Sequence, residues 1–113
     1  MDSILETVKA HLGLTEDDIT FNEQIIDNIN SVFMILHQLG VGPSECYAIE
    51  DESETWNDFF GDAKNVNAVK TYMYMKVRLM FDPPTTSFLL TSMQDQCREL
   101  ECRLNYIVDP GEG

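Results

Sequence analysis

The sequence predicts an all-α protein, a compact bundle of three long helices plus one or two short ones with a short C-terminal tail. Apolar residues recur every three or four positions along nearly the whole chain. Glycine and proline punctuate these runs instead of interrupting them. Period-two alternation, the mark of a half-buried strand, is nearly absent. At 113 residues the chain holds one domain, expected over residues 1–108, with a flexible tail over 109–113.

The elements follow in order. Ile4, Leu5, Val8 and Leu12 form one stripe, which predicts a first helix over about 2–12 closed by Gly13 in a left-handed cap. Residues 15–18 are acidic and polar and make a connector. A second helix is expected from about Thr20, where Thr20 and Glu23 stand at capping-box spacing and Asn22 is an alternative cap. Its stripe is Ile25, Ile26, Ile29, Val32, Phe33, Leu36 and Leu39, and Gly40 closes it. Asp27, Asn28, Asn30 and Gln38 fall mostly on its other face. Residues 40–54 lose helical character, with a short extended piece at Tyr47, Ala48 and Ile49. Thr55 and Asp58 then open a short helix through Trp56, Phe59 and Phe60, ended by Gly61.

The third long helix is expected from about Asp62 to Phe81, on the stripe Val66, Val69, Met73, Val77 and Met80. Pro83 and Pro84 stop it, since proline lacks the donor and clashes with the preceding turn. The last helix runs from Thr85 or Thr86 to about Ile107. Leu90, Met93, Cys97, Leu100, Leu104 and Ile107 form a heptad-like seam suited to lying along the third helix.

Charge narrows the function classes. The chain has 20 acidic and 7 basic residues, a net charge of −13. Affinity for nucleic-acid phosphates depends on Lys and Arg, so such a partner is disfavoured, and an anionic membrane with it. No apolar run approaches the length of a membrane span. The N-terminus lacks a basic and an apolar region, so no signal peptide is expected. Residues 1–63 hold fourteen acids and one base, Lys9, whereas residues 64–113 hold six of each. The whole net charge therefore sits in the first 63 residues. A solubilising surface and a face that must stay negative both account for this.

Catalytic patterns are missing. No glycine set forms a phosphate cradle, and neither His11 nor His37 has partners at zinc-ligand spacing. His37, between Leu36 and Leu39, is expected to be a half-buried structural histidine. The acidic runs Glu16, Asp17, Asp18 and Glu50, Asp51, Glu52, Glu54 lack the alternation and glycine of a calcium loop. No enzyme activity, metal or cofactor is expected. Cys46, Cys97 and Cys102, odd in number, are expected as buried or half-buried free thiols. Tyr74 and Met75 fall off the stripe of the third helix, which suggests a second face turned to another chain. Phe81 and Phe88 flank the proline corner. Both are expected in the core, or at a neighbour contact if exposed.

Four segments carry a resemblance in combination: HLGL with its acidic turn, FNEQIIDNINSVFMILHQLGVGP, TWNDFFGD, and AVKTYMYMKVRLMFDPPTTSFLLTSMQDQCRELECRLN. KVRLMFDPP before a long terminal helix is the most telling piece. Over residues 2–106 the chain resembles the head–tail connector proteins of long-tailed double-stranded-DNA bacteriophages, also called adaptor or head-completion proteins. The resemblance implies a structural virion protein that assembles with itself into a ring, usually twelve-fold, beneath the portal protein. Such a ring extends the DNA channel and is a platform for a stopper or tail-completion protein. It implies the virion neck as location, after synthesis in the host cytoplasm, and no membrane. Any portal-embracing arm would be about Asn105 to Gly113, which makes Tyr106 and Ile107 candidate contacts beside Tyr74, Met75, Phe81 and Phe88. The seven acids named above become candidate channel residues, because an acidic wall lets a duplex pass without specific binding. Two other classes stay open at this point: an acidic DNA-mimic inhibitor of the anti-restriction type, and a small host regulatory helical adaptor.

Overall fold

Glycine chemistry closes the first two helices in the same way. In a computed structural model, which describes residues 3–43, 45–61 and 66–108 but not the side chains of Tyr106, Ile107 and Val108, α1 spans Ile4–His11 and α2 spans Asn22–Gln38. Past each lies a glycine of positive φ, Gly13 at 84° and Gly40 at 85°. The amide of the next residue reaches back to a carbonyl of the last turn: Leu14 N–H to Lys9 O (2.9 Å) and Val41 N–H to Leu36 O (2.9 Å). These are Schellman closures, which satisfy carbonyls the helix leaves unpaired. Both helices therefore stop where the sequence predicts.

The start of α2 differs from expectation. Phe21 is the N-cap and no side chain caps it. Residues 15–22 are wound into consecutive turns, with Asp18 N–H on Thr15 O and Asn22 N–H on Ile19 O. Thr20 sits inside that winding, its amide donating to Asp18 Oδ1 (3.2 Å), so the Thr20–Glu23 box does not form. Asn22 becomes the first helical residue instead of the cap. At α3, Trp56–Phe60, the predicted box is complete: Thr55 Oγ1 accepts from the Asp58 amide (3.2 Å), and Asp58 Oδ2 accepts from the Thr55 amide (3.0 Å).

Helix α4 spans Val66–Phe81 and α5 spans Ser87–Val108, separated by the proline corner. The expected start of α4 at Asp62 and the tail over 109–113 lie outside the described residues. No strand occurs among the described residues; Ser3 and Thr55 form one isolated bridge, and Ile4 N–H donates to Glu54 O (3.1 Å). The fold is all-α, as predicted.

α4 is the central helix. It packs along α2 on one flank and α5 on another, with α1 over α2 and α4. The result is a slab of 46 × 36 × 19 Å. About two helix diameters fit its thickness. The core joins Ile4, Leu5 and Val8 to Ile25, Ile29, Val32, Phe33 and Leu36, and these to Val69, Tyr72, Met73 and Val77. A knot of aromatic rings fills one end: Phe33 lies 4.7 Å from Phe59, 5.1 Å from Tyr47 and 6.4 Å from Trp56, centroid to centroid. Trp56 Nε1–H donates to Thr7 Oγ1 (2.9 Å), tying α3 to α1.

Several expected positions move. Of the α5 seam, Cys97 and Leu104 are buried, while Leu90, Met93 and Leu100 stay half-exposed, because α5 packs chiefly on α4. Met80 is exposed at the end of α4. Asn30 does not face solvent. It is half-buried, and its amide takes both backbone groups of Ile49: Nδ2 donates to the carbonyl (3.0 Å) and Oδ1 accepts from the amide (2.8 Å). This clamp holds the irregular segment 47–49 against α2. His37 is exposed, not half-buried, since the α2 core face is already filled by Phe33 and Leu36. All three thiols are free, but Cys46 and Cys102 are exposed and only Cys97 is buried.

Candidate functional site

Among the described residues no group of three or more His, Cys, Asp or Glu is arranged to hold a metal ion. Among the described residues no helix is long and apolar enough to cross a membrane.

The seven candidate acids fall into two loops. Glu50, Asp51 and Glu52 are exposed and Glu54 is half-buried. Glu54 folds back under this loop, its two carboxylate oxygens accepting from the amides of Glu50 (3.1 Å) and Asp51 (3.2 Å). Asp51 accepts from the Ser53 amide (2.8 Å) and hydroxyl (2.6 Å), and these bonds hold its carboxyl below the usual range. Hydrogen bonding to the charged form favours it. Glu54 and Asp51 thus shape the loop, while the Glu50 and Glu52 side chains crown it. In the second loop Glu16 and Asp17 are exposed and Asp18 is half-buried. Its backbone is anchored by Lys9, which is only 1 % exposed; Nζ donates to Glu16 O (3.3 Å) and lies 3.9 Å from Glu6 Oε1. The sole base of residues 1–63 is therefore turned inward, and sequence reasoning did not foresee it. The signal was a lysine one position after Val8 on a helix with apolar neighbours.

The apolar candidates separate. Tyr74 is half-buried and engaged within the chain, stacked on His11 at 3.7 Å and edge-on to Trp56 at 6.2 Å. Phe81 is half-buried and meets the exposed Phe21 at 5.4 Å. Phe88 is not in the core: it is 85 % exposed, because it lies two positions from Leu90 and so on the side of α5 away from α4. Met75 is half-buried in a shallow hollow between α4 and α5 that also takes in Leu100. The Tyr106 and Ile107 side chains lie outside the described residues. Ile19, Phe21, Met34 and Leu89 are further exposed apolar side chains that the sequence reading did not single out; Met80, expected on the α4 stripe, is exposed as well.

A half-buried polar cluster joins the last two helices. Tyr72 Oη–H donates to Glu101 Oε2 (2.6 Å), and Lys76 Nζ lies 3.6 Å from the same oxygen. Burial, then the neighbouring carboxylate, pushes the Tyr72 phenol far up; burial likewise raises the Cys97 thiol. Both stay protonated near neutrality, and Cys97 is a packing residue rather than a nucleophile.

The described residues form an all-α slab with structured acidic loops and exposed apolar side chains. The family model of the phage connector protein matches residues 4–111, so the chain belongs to the phage connector protein family. That family is structural, and membership gives the chain a connector role in the virion, in contact with other head or tail proteins of the phage. No curated protein and no solved structure matches the chain.

Proposed function

We propose that this connector is the adaptor of the phage neck: a closed ring of copies beneath the portal that extends the DNA channel and receives a stopper or tail-completion protein. The match of the connector family over residues 4–111 carries this reading. The resemblance to head–tail connectors, whose rings are usually twelve-fold, supports a dodecamer. The chain performs no reaction; its work is to hold partners in register while duplex DNA moves past.

The charge distribution supports the channel role. Part of the set Glu16, Asp17, Asp18, Glu50, Asp51, Glu52 and Glu54 lines or rims the lumen. Like charges around a closed ring sum their fields and repel phosphates, so the duplex slides without being gripped. A DNA mimic would spread its carboxylates over the whole surface, whereas residues 64–113 are neutral overall. Tyr106 and Ile107, with the residues after them, are the proposed portal contact.

Negative-stain images of the purified protein, alone and mixed with its portal protein, test the ring. Rings stacked on the portal are expected; a chain that stays monomeric with and without the portal overturns the reading. The channel role is tested with Glu50→Lys/Glu52→Lys, which spares Asp51 and Glu54 and so leaves the loop shape intact. This variant should gain salt-sensitive duplex binding that the parent lacks, because each new phosphate contact releases counterions. A charge-reversed ring that binds no duplex, in a phage of full infectivity, would place these acids in bulk solvent.

A further inference from the structure

Two unlike borders of the slab carry unpaired apolar side chains. On the free flank of α5, two shallow hollows follow one another and share Gln96 and Glu99; the first holds Phe88, the second Met75 and Leu100. Leu100 and Met75 are half-buried, and Phe88 is almost fully open. On α2, Met34 is 57 % exposed. It stands in a stripe with Asp27, Ser31 and Gln38, all exposed and spaced so that they share one helix face. α2 and α5 lie against different flanks of α4 and share no comparable packing. Each copy therefore offers a hollow on one border and a knob on another.

Charge selects how these surfaces combine. The half of the chain that bears α2 holds the entire net charge of −13, while the half with α4 and α5 is balanced. Two α2 borders set face to face would bring like-charged halves together, which is unfavourable. An α2 border set on an α5 flank brings the acidic half against a neutral one, whose Arg103–Glu99 ion pair (3.1 Å) lies beside the Leu100 hollow. Such a contact is heterologous. It leaves every copy with one free border of each kind, so addition continues until the rotation closes.

Resting on the ring reading above, we propose that the Met34 stripe of one copy seats in the Met75–Leu100 hollow of the next, with Phe88 covering the adjoining part of the contact. The occupant of the α5 flank is thus a second copy of this chain, presented head to tail.

Two variants separate the borders. Met34→Glu charges the knob. Phe88→Glu/Gln96→Glu charges the flank at its open end and at the joint between the hollows. All three positions are exposed, so thermal melts should match the parent. Sedimentation is run under the conditions, alone or on the portal protein, in which the parent assembles. Each variant by itself should then remain monomeric in solution. An equal mixture should give dimers and nothing larger, because each variant keeps the one border the other has lost. Rings formed by either variant alone overturn the proposed contact while leaving the ring reading standing. So does assembly lost in the flank variant but kept in Met34→Glu, which would mean α5 packing on α5. A mixture that stays monomeric also overturns it. A parent that assembles by neither route overturns the ring reading itself, and the contact with it.

Discussion

Gly42 shows how closely one residue can bind a loop to the core. Its φ is +97°, a conformation L side chains rarely adopt, and a Cβ there would stand 2.6 Å from Cζ of the buried Phe59. Gly13 has a similar backbone, φ +84°, but open space around it. The two positions therefore separate backbone strain from steric overlap. Gly13→Ala should cost about 1–2 kcal/mol, the penalty of a left-handed residue. Gly42→Ala adds overpacking of about 1–3 kcal/mol more, because Phe59 is held by Phe33, Tyr47 and Phe60 and has nowhere to turn. Urea unfolding of both variants checks the ranking; equal costs would mean that the loop, not Phe59, moves aside.

Among elements, α2 ties the segment around Tyr47 and the short helix α3 to the core. Its Phe33 touches that segment through Tyr47 and α3 through Trp56 and Phe59. Phe33→Ala should cost about 3–5 kcal/mol, as deletion of a buried aromatic ring does, and an unchanged melting temperature would remove it from the core. α2 also marks what a sequence can show. Its apolar spacing placed Ile25, Ile29, Val32, Phe33 and Leu36 correctly, because periodicity reports which face is buried. Gly40 marked its end, because a left-handed closure favours glycine. Its start was missed, since the winding of residues 15–22 depends on Asp18 and not on the residues at capping spacing. Asn30 was misplaced because its partner, Ile49, is nineteen positions away, and no local pattern reports a long-range bond. The same holds for the candidate surfaces. The acidic loops were legible as composition. That Phe88 and Met34 stand open, while Tyr74 is taken up by His11 and Trp56, follows only from which helix lies beside which.

At the scale of the whole molecule, the burial of Lys9 removes the one basic side chain of residues 1–63 from the surface. The acidic half thus presents carboxylates to water with no lysine or arginine of its own among them. Net charge of this size works against the compact state through self-repulsion. Sodium chloride should therefore raise the melting temperature. The Debye length falls from about 30 Å at 0.01 M to about 3 Å at 1 M, so the repulsion is progressively screened. Calorimetry across that range tests it, and a falling melting temperature would mean that surface ion pairs such as Arg103–Glu99 outweigh the repulsion. The arrangement of α5 has a different consequence. A helix of 22 residues packed chiefly on α4 and burying Cys97 and Leu104 should open more readily in a lone copy than α2 and the centre of α4, its amides exchanging with solvent by local excursions. The helix that opens first in that comparison also carries a free flank. Contact there would quench those excursions, and a loose border of the free subunit would become an inner wall of the assembly.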